Sequence, residues 1–235
     1  MGVSFEHSAR LYDALYAARG KDYGKEAAFV RRLLPKHASS VLDVGCGTGE
    51  HLQRLAPMGA LCGLDADTAM LRVAHAKLPQ ALLFRGDMRS FALRRRFDAV
   101  TCLFASIGYL ADATAVGEAL CCMAQHVAPG GVLLVEPPLG PARLKPPERS
   151  TLSVVCDGGV VDRITTAQHE PGRLRILFDY AFENQSGVQS FREEHVILSL
   201  PVSFFRSALE RIGCEVHLED TWPSGAGLLL ARNPT

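Results

Sequence analysis

The chain predicts an α/β fold with a doubly wound, mostly parallel seven-stranded sheet and an antiparallel β insertion after the fifth strand acting as a lid. Three observations carry this. From Ser40 to Pro137, short apolar runs rich in Val and Leu alternate with amphipathic segments of about ten residues. Beyond Pro137 the alternation stops, and strand-like runs follow one another without helices. The chain then closes on a helix and two further strands. At 235 residues, 48% of them hydrophobic, it has the size and core content of a single domain. Its parts are a helical cap over 1–36, a binding core over 37–137, the insertion over 138–200, and a closing helix with edge strands over 201–235.

The segment "SARLYDALYAARGKDYGKEAAFVRRLLP" reads as two short helices hinged near Gly20 and stopped by Pro35. "SVLDVG" is a strand and "EHLQRLAP" a helix; "ALCGLD" is a strand and "DTAMLRVAHAKLP" a helix. "ALLFRGD" and "FDAVTCLF" are strands three and four. "DATAVGEALCCMAQHVAPGG" is a helix with its stop signal, and "GVLLVEPP" is strand five. "PPLGPARLKPPERS" is a proline-rich loop. "TLSVVCDGGVVDRITTAQ", "RLRILFDYAFEN" and "SFREEHVILSL" form the insertion, the first carrying a "DGG" hairpin turn. "PVSFFRSALERIG" is a helix with Pro at its start and Gly at its end. "CEVHLED" and "GAGLLLARN" pair antiparallel at the sheet edge.

Lys plus Arg and Asp plus Glu each number 25, so charge points neither to nucleic acid nor to an anionic membrane. The basic "LRRRF" reads as a solvated loop. No apolar run approaches the length of a membrane span, and "MGVSFE" places Glu6 where a myristoylation signal needs Ser or Thr. The seven scattered cysteines include no C-x-x-C pair or zinc-type spacing, which predicts reduced thiols, a cytoplasmic protein and no metal.

In "SVLDVGCGTGEHL", Gly45, Gly47 and Gly49 follow the first strand, with Asp43 two residues ahead of them. Glycines there allow a tight turn and close approach of a ligand to bare backbone at the carboxyl end of the sheet. The spacing is G-x-G-x-G, not the G-x-G-x-x-G of dinucleotide binders, and no hydride-handling site accompanies it. Strand two ends in Asp65, where a carboxylate can hold both hydroxyls of a ribose. Strand three ends in Asp87, placed to accept from an adenine amino group, and Met88 can cover the ring.

With these residues, "VLDVGCGTGEHL", "GLDADTAML", "GDMRSF", "FDAVTCLFASIGYL" and "HVAPGGVLLVEP" resemble, in order, the motifs of the class I S-adenosylmethionine (SAM) methyltransferases. The resemblance implies SAM as cofactor, S-adenosyl-L-homocysteine as product, and a cradle completed by Ala66, Met70, Leu103 and Phe104. The segments "YDALYAARGKDYGKEAAFV" and "PSGAGL" are similar to those of N,N-dimethyltransferases acting on nucleotide-linked amino sugars, which implies an amine acceptor. Two departures fall near the acceptor side: "VEPPLGPARLKPP" stands where that family carries a Trp-rich segment, and Ala226 stands where an Arg is expected.

An amine must present its lone pair and lose a proton. Tyr16, on the helix that in this family folds over the cofactor, is the first candidate to orient it. His195 in the insertion is the candidate base, although strand alternation favours its facing solvent; Glu193 and Glu194 share that expectation. Tyr12 and Tyr23 are candidates to close over the methionine part of SAM. Glu136 borders the crevice, as an acceptor contact or a structural hydrogen-bond partner. His126 falls at the opposite edge of the sheet, and His51 and His75 read as ordinary surface or satisfied residues. An oxygen acceptor, a carboxylate or phenol, and a non-catalytic SAM-binding protein are the alternatives; a homodimer is the oligomer considered. "LFASIGYL" is not an Asn-Pro-Pro-Tyr-like base-flipping motif.

Overall fold

The computed structural model describes residues 4–56, 59–138 and 149–232. A seven-stranded sheet forms the centre. Its strands are β1 (Ser40–Val44), β2 (Ala60–Asp65), β3 (Leu82–Arg85), β4 (Phe97–Cys102), β5 (Val127–Val135), β10 (Glu215–Glu219) and β11 (Leu228–Arg232), in the order β10-β11-β5-β4-β1-β2-β3. β1 to β5 run parallel, and β11 pairs antiparallel with β5 and with β10. The chain leaves β1 toward β2 on one side and returns through β4 on the other, so strand order reverses between β1 and β4 and a crevice opens at their carboxyl ends.

Period-two alternation sorts the apolar side chains onto two faces. Leu42, Val44, Leu133 and Val135 pack with α5 (Ala113–Gln125) and α6 (Val202–Arg211) on one side. Val41, Val132 and Leu134 pack with α2 (Tyr23–Leu33) and α3 (Glu50–Arg54) on the other. The helix expected through "DATAVGEALCCMAQHVAPGG" ends at Gln125, because the Phe97 N–H takes the His126 carbonyl at 2.8 Å and draws Val127 into β5. His126 spends both ring nitrogens there: Nδ1 lies 2.8 Å from the Cys122 carbonyl, and Nε2 accepts from the Leu93 N–H at 3.1 Å.

After β5 comes a second, antiparallel sheet of β6 (Arg149–Cys156), β7 (Gly159–Glu170), β8 (Arg173–Asn184) and β9 (Gly187–Leu198). Asp157 and Gly158 make the β6–β7 turn with positive φ of 51° and 73°, the geometry a two-residue hairpin favours. The proline-rich loop falls mostly at 139–148, outside the described residues, as does most of the segment set against the family's Trp-rich stretch. Helix α1 (Tyr12–Ala18) buries Leu15 against the lid sheet, in an apolar cluster with Leu11, Val161, Phe178 and Phe182. Its Asp13 fastens it to the glycine loop and to α4 (Thr68–Lys77): the Thr48 hydroxyl donates to Oδ1 and Lys77 Nζ lies 2.6 Å from Oδ2. Among the described residues no helix is long and apolar enough to cross a membrane.

Candidate active site

One cavity of about 1120 Å³ lies between the carboxyl ends of β1 to β5, α1 and the inner face of the lid sheet. Of the residues singled out above, Tyr12, Tyr16, Gly45, Asp65, Ala66, Met70, Asp87, Met88, Phe104, Glu136, His195 and Ala226 line it. Tyr23, Asp43, Gly47, Gly49 and Leu103 do not line it.

At the glycine loop, Gly45 has φ of 72°, and a Cβ there would meet Ser106 Cβ at 2.7 Å, so the loop closes on the end of β4 only because the side chain is absent. Gly49 serves another purpose. A Cβ on it would press on Leu78 and Ala74, so its bareness lets α3 begin close against α4. Asp65 ends β2 with its carboxylate held from behind: the Gly47 N–H donates to Oδ2 and the Asp67 N–H to Oδ1, each at 2.8 Å. Burial raises the Asp65 carboxyl above the usual range, against those hydrogen bonds. Asp87 is gripped by Arg89, whose Nε lies 3.0 Å from both carboxylate oxygens, and these bonds lower its pKa.

The turn after β4 holds Phe104 and Ala105 at positive φ of 53° and 56°, conformations L-residues adopt at a cost of about 1–3 kcal/mol each. Glu136 holds them there. Its Oε2 accepts from the Phe104 N–H and its Oε1 from the Ser224 hydroxyl, both at 2.6 Å. The carboxylate at the end of β5 is therefore a structural clamp, and the strained turn aims Phe104 into the cavity. Its ring meets Tyr16 edge-on at 4.9 Å and carries the Lys21 ammonium 3.8 Å above its centre.

Leu103 is a core residue, 2% exposed. Asp43 is buried against Thr101, whose hydroxyl donates to Oδ1 at 2.7 Å. Tyr23 is buried edge-on to His51 at 4.9 Å. The His51 ring is satisfied by Glu26, with Nε2 2.6 Å from Oε2, and Glu26 also takes Lys21 at 2.7 Å. Composition gave no sign of this buried Lys21–Glu26–His51 group, because its members come from the loop before α2, from α2 and from α3.

On the lid, the solvent orientation expected for His195 is reversed. His195 is 2% exposed and Glu193 7%. Both alternate onto the inner face with Phe178 and Tyr180, whereas the Glu194 side chain faces out and pairs with Arg175. Nδ1 of His195 lies 2.8 Å from the Tyr109 hydroxyl. Tyr109, in the 3-10 turn Ser106–Tyr109 that follows β4, was missed by sequence reasoning because its partner is 86 residues away.

Bare backbone at Gly45, a carboxylate fixed at the rim by backbone N–H groups, and apolar cover from Met88 and Phe104 fit a nucleoside carrying a short aliphatic arm. Asp65 would hold its ribose, with Asp87 and Met88 at the base. A family model described as a methyltransferase domain matches residues 41–131. The chain is 39% identical, over 94% of its length and 88% of the relative's, to dTDP-3-amino-3,6-dideoxy-alpha-D-glucopyranose N,N-dimethyltransferase of Streptomyces fradiae. It is 37% identical, over 94% and 96%, to the dTDP-3-amino-3,4,6-trideoxy-alpha-D-glucopyranose N,N-dimethyltransferase of Streptomyces venezuelae. The crystal structure of Streptomyces venezuelae DesVI superposes with a TM-score of 0.88 at 35% identity, covering 95% of this chain and 97% of that one. SAM-bound CalS10, an amino pentose methyltransferase from Micromonospora echinaspora, superposes with a TM-score of 0.83 at 34% identity, covering 95% and 97%. Cradle geometry and relatives of near-equal length agree, and the chain belongs to the class I S-adenosylmethionine-dependent methyltransferases.

Proposed function

We propose that the enzyme methylates the amine of a nucleotide-linked amino sugar in antibiotic biosynthesis. The observation that carries this reading is the extent of the likeness: it spans 94% of the chain and so includes the lid as well as the cradle. Acceptor choice in this fold is made on the lid side. SAM, when bound, supplies a methyl group already activated on a sulfonium. The chain's own residues then have to bind, orient and handle a proton. Asp65 and the glycine loop fix the cofactor. Tyr16, beside Phe104, orients the acceptor nitrogen, and Phe178, Ile176 and Leu174 give the sugar an apolar wall. His195 brings a basic nitrogen to the acceptor side. Seven free cysteines agree with a cytoplasmic enzyme, and balanced charge with a small-molecule partner.

The test is intact-mass analysis after incubation with SAM and dTDP-3-amino-3,6-dideoxy-α-D-glucopyranose, alongside simple amines, carboxylic acids and phenols. A gain of methyl mass on the amino sugar, lost in Asp65→Ala together with SAM binding, is expected. Methylation of an acid or phenol alone would overturn the amine reading while leaving the cofactor assignment intact.

A further inference from the structure

We propose that Tyr109, His195 and Glu193 form a proton relay that takes the proton from the acceptor ammonium, with Tyr109 as the group that touches the acceptor. The proposal rests on the amine reading above. An amine of ordinary basicity arrives protonated at neutral pH and cannot attack a methyl group until it loses that proton.

The three side chains form a line from the cavity into the lid. Tyr109 lines the cavity, and its hydroxyl lies 2.8 Å from His195 Nδ1. On the far side of the ring, Nε2 lies 3.5 Å from Glu193 Oε2. Among the described residues, neither Nε2 nor either Glu193 oxygen has a hydrogen-bond partner although all three are buried, and Nε and Nη2 of the buried Arg163 are likewise unpartnered. A buried carboxylate left this way is costly, and a positive charge on the ring, 3.5 Å away, would offset that cost together with the neighbouring Arg163 guanidinium. The titratable groups packed around the line are Arg163 from β7, Tyr180 from β8, Tyr12 and Tyr16 from α1, and Asp65 at the end of β2. The Arg163 guanidinium lies over the Phe178 ring at 4.7 Å, and the opposing Phe5 and Phe178 rings lie 5.1 and 4.8 Å from the imidazole.

The direction of the line follows from its ends. A phenol is protonated at neutral pH, so the Tyr109 hydroxyl donates to Nδ1. Nε2 then carries the ring hydrogen, on the side of the imidazole where Glu193 lies. When an acceptor ammonium meets Tyr109, its N–H bond breaks and an O–H bond forms on Oη, while the phenol's own O–H bond breaks and its proton passes to Nδ1. One proton and one positive charge move from the acceptor nitrogen to the imidazole, beside the waiting carboxylate, and the nitrogen lone pair is freed. The reverse transfer through Tyr109 returns the proton to solvent when product leaves. His195 and Glu193 act through Tyr109 and are positioning residues; this is the arrangement by which a carboxylate steadies an imidazolium in hydrolytic triads.

The experiment measures kcat/KM across pH for methylation of dTDP-3-amino-3,6-dideoxy-α-D-glucopyranose by wild type, Tyr109→Phe and Glu193→Gln, with the SAM Kd of each by calorimetry. Both variants are expected to lose about 10–100-fold at about pH 7. The loss should shrink to about threefold at about pH 9.5, where the substrate arrives as free amine, with SAM Kd within about twofold of wild type throughout. Tyr109→Phe removes one oxygen at the cavity surface, so its result stands even if the buried Glu193→Gln fails to fold. A loss equally large at both ends of the pH range, or none for Tyr109→Phe at neutral pH, overturns the relay while the amine reading survives. Wild type that binds SAM but leaves the amino sugar unmethylated overturns the amine reading, and the relay with it.

Discussion

Asp43, in β1 beneath the glycine loop, is 2% exposed, and burial raises its carboxyl to about 6 despite the Thr101 hydrogen bond and the nearby His51. A carboxyl whose pKa is higher folded than unfolded adds stability that is fully present below its unfolded value, near 4, and is lost as pH rises through about 6. Wild type should therefore gain on Asp43→Asn by about 1 kcal/mol between pH 7 and 5 in urea titrations of the ligand-free protein. A gap independent of pH would mean that Asp43 is charged throughout. Glu136 shows the other way of burying a carboxylate at this sheet edge: two short donors occupy it, and its work is to hold a strained turn.

Among the elements, α1 joins the apolar cluster of the lid to the cavity wall. Leu15 is 1% exposed in the cluster that joins the helix to the lid, while Tyr12 and Tyr16 on the same helix line the cavity. Leu15→Ala should cost about 2–4 kcal/mol. Because the contact lies on the lid side, acceptor KM should rise several-fold more than SAM Kd, by steady-state kinetics and calorimetry. An equal rise in both would place α1 with the cradle. The same elements mark how far the sequence could be read. "DGG" announced the hairpin because two consecutive positive-φ residues demand that chemistry, and the end of each parallel strand located Asp65 and Asp87. Period two could not say which lid face turns inward, since the face covered by α1 is chosen by packing, and so His195 was placed toward solvent. Gly108 was equally silent: a Cβ there would meet Pro138 Cγ at 2.6 Å and Ile197 Cγ2 at 2.8 Å, a closeness set by an element far along the chain.

At the scale of the molecule, the class of fold and the position of the crevice were legible because a parallel sheet needs strand–helix alternation and puts its ligands at the carboxyl ends. The partnership of lid and cap was not, for it depends on contacts between residues 4–18 and residues 149–198. The apolar interior is divided accordingly. Among the described residues, two clusters flank the main sheet, a third of Leu11, Leu15, Val161, Phe178, Tyr180 and Phe182 joins the N-terminal segment to the lid, and a small fourth packs Ala9 and Tyr12 on Ala69 and Met70 of α4. A sheet whose core is shared mainly with one short helix is expected to open at a lower free energy than the main sheet. In amide hydrogen exchange, β7, β8 and α1 should open together and faster than β1, β4 and β5, whose amides exchange only when the whole chain unfolds. The cavity would then lie at a seam between a slow-exchanging floor and a faster-exchanging roof, an arrangement in which loosening the roof leaves the glycine loop and Asp65 undisturbed.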